Sequence, residues 1–186
     1  MRKTLLVISI LFTLIGTTYA DYSNDAKVFG EGVKAYINGD YKSALKKWKS
    51  LIPDEDAPFS HFDFNSALGK PPVIKVPGTE ARAEYAIGSL YEKGLGVLES
   101  YTKAGKHYRE SARWNYPQGQ LAYAKLTLRV LRDDLIEGIT KEDRIDGYKE
   151  AAEFVSKLYE NERATDEMHK EAEELWSEYE LHKYPY

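Results

Sequence analysis

Apolar residues recur along this chain at three- and four-residue spacing, in blocks broken by glycine, asparagine or proline. That spacing marks one face of an α-helix. Asp25 to Ile37 reads as a helix ending at Asn38-Gly39-Asp40. Gly39 suits a left-handed turn there, and Asp40 caps the helix that follows. This next helix, from about Tyr41 to Leu51, carries Tyr41, Ala44, Leu45, Trp48 and Leu51 or Ile52 in one stripe, and Pro53 ends it. Thr79 to Lys93 is predicted as helix, with Ala83, Ile87 and Leu90 on one face and Ala86 and Gly88 beside them. Gly94-Leu95-Gly96-Val97 makes a turn. A helix with Ala104, Tyr108, Ser111 and Ala112 then runs to about Trp114.

Asn115 fits a left-handed cap, and Pro117 opens a helix that continues to about Arg132. Thr140 to Asp143 resembles a capping box with Asp in place of Glu. The helix behind it places Ile145, Tyr148, Ala152, Val155 and Tyr159 in one stripe. A last amphipathic helix, at about 164–182, carries Met168, Ala172, Leu175, Trp176 and Tyr179. Its other face is acidic, with Glu171, Glu173, Glu174, Glu178 and Glu180, and reads as a solvent-facing cap. The tail Tyr184-Pro185-Tyr186 is expected to be loose.

The lattice of small and aromatic residues that begins at Ala83 begins again at Gly119, 36 positions on. A period of this size is the mark of stacked helix-turn-helix units, each too small to bury its own apolar face. Ala83, Ile87, Gly88, Tyr91, Gly94, Gly96 and Val97, followed by Lys103, Ala104, Tyr108 and Ala112, resemble the Sel-one-like repeat, a relative of the tetratricopeptide repeat. Ser100, His107, Ser111, Asn115 and Gly119 are mild departures, and His107 falls where that family has an aromatic residue. Gly32, Ala35, Tyr36, Gly39, Asp40, Tyr41, Ala44 and Trp48 resemble a tetratricopeptide-style unit. After Gly119, Ala124 and Leu126 keep the register, but a longer link, Asp133 to Thr140, replaces the glycine turn.

The resemblance implies an all-α fold, an α/α solenoid wound as a right-handed superhelix of about three stacked helix-turn-helix pairs. Its structural positions are Ala83, Gly88, Tyr91, Gly94, Gly96, Ala104, Tyr108 and Ala112. The small residues among them let helix backbones approach closely, and the tyrosines fill the space between pairs. Enlarging a buried alanine such as Ala104 should cost roughly 1–3 kcal/mol.

Residues 53–78 interrupt the pattern as an insertion after the first helix pair. Five prolines, two glycines and the aromatics Phe59, Phe62 and Phe64 lie in it, with Val73 to Val76 suited to a short extended segment. A loop of this length in a compact domain is uncommon, and its aromatics argue for packing. They either cover the end of the first helix pair or offer an apolar patch to a partner. Covering is favoured.

The chain opens with Arg2 and Lys3, an apolar run from Leu5 to Ile15, and Thr18-Tyr19-Ala20. This is the order of a secretory signal peptide, cut after Ala20, and the run is short of the roughly 20 residues of a spanning helix. Residues 21–186 then form a single repeat domain. The chain holds 26 Lys and Arg against 30 Asp and Glu; losing Arg2 and Lys3 takes its net charge from −4 to −6. An acidic balance disfavours nucleic acid and polybasic membrane contact. Cysteine is absent, which excludes disulfides, thiol chemistry and a lipoprotein anchor. With no N-x-S/T sequon either, a bacterial periplasm fits better than a eukaryotic secretory lumen.

Little in the chain suggests chemistry. The histidines His61, His107, His169 and His182 form no close ligand pair, and His61-Phe62-Asp63 alone makes no metal site. Gly94-x-Gly96 follows no strand and is read as a turn, not a phosphate cradle. No catalytic residue, metal or cofactor is expected. The expected function is a non-enzymatic protein-protein interaction or assembly module in the periplasm, since stacked helix pairs present a concave surface to partners. Tyr85, Ser89 and Glu92 lie on a stripe outside the strict repeat pattern, and a shift of 36 leads to Leu121, Lys125 and Leu128. Tyr85, Ser89, Lys125 and Arg129 are assigned to the groove.

Two alternatives stand beside this reading. One is a cell-wall enzyme or inhibitor. Exported relatives linked to β-lactams are rich in disulfides, and this chain has none. The other is a structural subunit of an envelope or flagellar motor complex. The partner's identity and the oligomeric state are open.

Overall fold

The computed structural model describes residues 24–52 and 78–186. The leader expected at 1–20, and the insertion with its aromatics and extended segment up to residue 77, lie outside the described residues. Within them every regular element is helical. Helix α1 spans 24–37. It is followed by α2 (Tyr41–Lys49), α3 (Thr79–Lys93), α4 (Tyr101–Arg113), α5 (Pro117–Asp133), α6 (Lys141–Tyr159) and α7 (Asp166–Glu178). A 3-10 turn, Leu181–Lys183, closes the chain. From α2 onward each helix packs on the next, and α5 also touches α3 and α7.

Local chemistry sets the helix ends. Asp40 accepts a hydrogen bond from the Ser43 amide, and Ser100 does the same for Lys103. Gly94 ends α3 in the left-handed region, as Asn115 does after α4. Pro117 occupies the first turn of α5, where its missing N–H costs nothing. Thr140 and Asp143 bond each other's backbone N–H as a capping box at the start of α6.

The buried repeat positions sit where small and large residues alternate. Ala83, Ala104 and Ala112 are buried, as are Tyr91 and Tyr108, while Gly94 and Gly96 lie in the α3–α4 turn. A Cβ added at Gly88 would come within 2.6 Å of the Tyr108 ring, so α3 needs glycine where that ring crosses it. Trp48 anchors the first pair, its indole N–H donating to the Phe29 carbonyl at 3.3 Å. Two apolar cores result. Trp48, Ile87, Leu90 and Tyr108 belong to the first, and Leu128, Val155, Leu158 and Leu181 to the second. Helix α5 supplies both, giving Leu126 and Val130 to one and Leu121, Ala124 and Leu128 to the other.

Four expectations about local structure need correction. Helix α2 stops at Lys49, and Leu51 and Ile52 bond three residues back in a tighter turn. Helical geometry is disfavoured at the residue before Pro53, in keeping with an end further upstream. The α6 stripe is displaced. Ile145 and Tyr159 are 38% and 44% exposed, while Ala151, Phe154 and Leu158 are buried beside Ala152 and Val155. Because α6 packs against both α5 and α7, its apolar face is wider than a single stripe. Helix α7 ends at Glu178; Glu180 takes φ 48° and turns the chain so that Leu181 is fully buried. The stripe expected there does face the second core, with Ala172 buried and Met168, Leu175, Trp176 and Tyr179 half-buried against it. Tyr184 is tied down, stacking on Tyr148 with ring centroids 4.6 Å apart, while Pro185 and Tyr186 stay exposed.

Candidate interaction face

The side chains assigned to a groove share one side of α3 and α5. At its centre is Glu92, one turn beyond Ser89 on α3. One of its carboxylate oxygens accepts the Tyr108 hydroxyl at 2.6 Å, and the other accepts Arg129 of α5 at 2.8 Å. The Arg129 guanidinium also lies over the Tyr101 ring, 5.4 Å from its centroid. One helical turn before Arg129, Lys125 reaches across to Glu171 of α7 at 2.6 Å. Tyr85 leans on Tyr108 at 5.7 Å and meets Tyr116 edge-on at 5.9 Å. Lys125 and Arg129 keep 53% and 39% of their side chains exposed, so both cations are open to solvent although paired.

The electrostatics follow from this packing. Burial raises the Tyr85 phenol, the Glu92 carboxylate adds to the rise, and Lys125 opposes it. Tyr108 is pushed up much further, first by burial and then by its bond to Glu92, with Ser89 opposing. A phenol raised in the folded chain stabilises it fully below the unfolded value of about 10, and that contribution is lost as pH climbs beyond it. Tyr108→Phe should therefore be less stable than the parent near neutrality, yet lose less further stability between about pH 8 and about pH 11. Urea midpoints across that range measure this, and parallel curves for the two chains would contradict it.

The structure brings Tyr85, Ser89, Lys125 and Arg129 together, but it departs from the 36-residue shift that suggested them. Leu121 and Leu128 are buried in the second core, so only the lysine of the shifted trio reaches the face. Helix α5 is held between two cores, which turns those leucines inward. Glu171 was read as part of a solvent-facing cap; it faces Lys125 instead. Nothing near it in sequence announces a partner 46 residues away.

His107 is a packed residue, as its place in the repeat suggested. It stacks on Tyr91 with planes 4° apart, and its Nδ1 lies 2.6 Å from the Glu84 carboxylate. That inward acid had no sequence signal apart from its helical spacing to Ile87 and Tyr91. Among the described residues no group of three or more His, Cys, Asp or Glu is placed to hold a metal ion. No helix among them is long and apolar enough to cross a membrane. His61 lies outside the described residues. Comparison of the chain with protein-family models, curated proteins and solved structures finds no match to any of them.

Proposed function

We propose that this chain is an exported Sel-one-like repeat protein that holds a protein partner in the bacterial periplasm and performs no catalysis of its own. In this reading the helix pairs stack as a right-handed solenoid with α3, α5 and α7 lining its concave side. The observation that carries the reading is the convergence of Tyr85, Ser89, Glu92, Lys125, Arg129 and Glu171 from three helices onto one face. Tyrosine and arginine are the residues that dominate binding energy at protein interfaces. Ion pairs with solvent-exposed cations can exchange partners at little cost, because such pairs are worth about 0–1 kcal/mol.

The test is capture from a periplasmic extract with the parent and with Lys125→Glu/Arg129→Glu. The variant should fold and melt near the parent, yet retain the captured partner at least about ten-fold less well, a change of about 1.4 kcal/mol. Equal capture by both chains would move the interface elsewhere. A variant with Lys125→Glu and Glu171→Lys keeps the ion pair but inverts it, and separates loss of surface charge pattern from loss of fold.

A further inference from the structure

Charge is spread unevenly along the helices. Residues 24–52, which hold α1 and α2, carry six lysines against three acids, a net charge of +3. Residues 160–186, which hold α7, carry nine acids against three Lys or Arg, a net charge of −6. On α2 the excess forms a stripe. Lys42, Lys46 and Lys49 follow each other at four and three residues, turned away from the buried Ala44 and Trp48. All three are exposed, and among the described residues none has an ion-pair partner, whereas Lys47 is held by Glu31 at 2.7 Å. At the other end Glu160, Glu162, Asp166, Glu167 and Glu173 are exposed and equally without a cation among the described residues.

Both ends also expose apolar side chains. A Cβ built on Gly96 would lie 2.8 Å from Tyr41 Cβ, so the α3–α4 turn abuts the start of α2. Leu98 of that turn is 90% exposed, and Ile37, just before α2, is 75% exposed. At the acidic end Tyr159 and Tyr186 are exposed as well. Apolar groups of this kind, rimmed by charge, mark contact surfaces.

Helix α2 packs on α3, while α7 packs on α5, α6 and the closing turn. Among the described residues no ion pair joins the two ends within one chain. Each end offers the charge that the other lacks, and a second molecule brings them together. Contact between unlike faces of identical chains repeats into rings or open assemblies. We propose that copies of this chain associate head to tail, the Lys42–Lys46–Lys49 face of one docking on the acidic α7 end of the next. Ile37 and Leu98 supply the apolar contact, and the charges set register and rate of encounter.

Sedimentation velocity of the purified chain across a concentration series, at about 50 mM and about 500 mM salt, is the test. At the lower salt the mean sedimentation coefficient should rise with concentration. At the higher salt association should be at least about ten-fold weaker. Lys42→Glu/Lys46→Glu/Lys49→Glu and Glu160→Lys/Glu167→Lys/Glu173→Lys should each sediment as monomers and melt near the parent. An equimolar mixture of the two should associate again. Leu98→Ser changes no charge and should weaken association at least about ten-fold, a reading that holds whether or not the charge reversals fold. A parent that stays monomeric, association that strengthens with salt, a folded reversal that still associates, a mixture that does not, or unchanged association in Leu98→Ser would each overturn the proposal.

Discussion

Replacing Gly119 by alanine is expected to destabilise the chain by about 3 kcal/mol, at the upper end of overpacking effects. A Cβ at this position would lie 2.3 Å from Ser111 Oγ, 2.7 Å from Ser111 Cβ and 2.9 Å from the Ala112 amide nitrogen. Two of those atoms are fixed close to the α4 backbone and cannot swing aside. Ser111 has no free volume either, being 0% exposed, with its hydroxyl donating to the Ala81 carbonyl at 2.7 Å. Relief requires α5 to withdraw from α4 or Ser111 to abandon that carbonyl, which leaves its own buried hydroxyl without an acceptor. The same substitution at Gly105 has the opposite sign. There the new methyl makes an ordinary contact with Leu126 Cδ2 at 3.9 Å and should gain about 0.5–1 kcal/mol of helix stability. Urea unfolding of the two variants side by side is decisive, and matching midpoints would refute the close crossing of α4 and α5.

The second large effect concerns Asn161, in the link between α6 and α7. Its side-chain amide donates to Gln120 Oε1 at 2.9 Å and reaches both Oδ1 and the carbonyl of Asn115 at 3.2 Å. Its own Oδ1 accepts the Arg163 amide at 3.1 Å. Gln120, 1% exposed, donates in turn to Asn115 Oδ1 at 2.9 Å. Asn161→Ala leaves Gln120 Oε1 without its donor in a buried site, and the expected loss is about 2–3 kcal/mol. The double variant with Gln120→Leu should lose clearly less than the two single losses added together, because both remove the same bond. Asn161→Asp should be worse than alanine above about pH 4, where a carboxylate would face the Gln120 and Asn115 oxygens, and should recover as pH falls. Additive losses would mean that the three amides do not act as one network.

Residues that act through their own backbone were the most legible. Gly39, Gly94, Asn115, Pro117 and Thr140 announce helix ends by conformational preference or by capping chemistry that needs only neighbours in sequence. The alternation of small and tyrosine positions from Ala83 to Ala112 likewise revealed the helix pair, because its spacing is itself the packing pattern. What stayed hidden depends on distant chain. Glu180 has no conformational signature, yet it turns the chain at φ 48° because Leu181 is drawn into the second core. Ser111, Gln120 and Asn161 are polar and read as surface until their partners are known. On the candidate face, Lys125 and Arg129 were legible from helical spacing, whereas Glu171 was concealed by a row of glutamates that looked uniformly solvated. Leu121 and Leu128, never assigned to the face, turn inward because a repeat period transfers position along a helix but not which neighbour that helix will meet.

The double duty of α5 has a mechanical meaning. Its residues join the core that holds Trp48 to the core that holds Leu181, a bridge to which α6 adds Phe154, so neither flank has a complete foundation without it. The helix acts as a keel. Local opening of α5 would uncover both cores at once, and when the keel melts the hull goes with it.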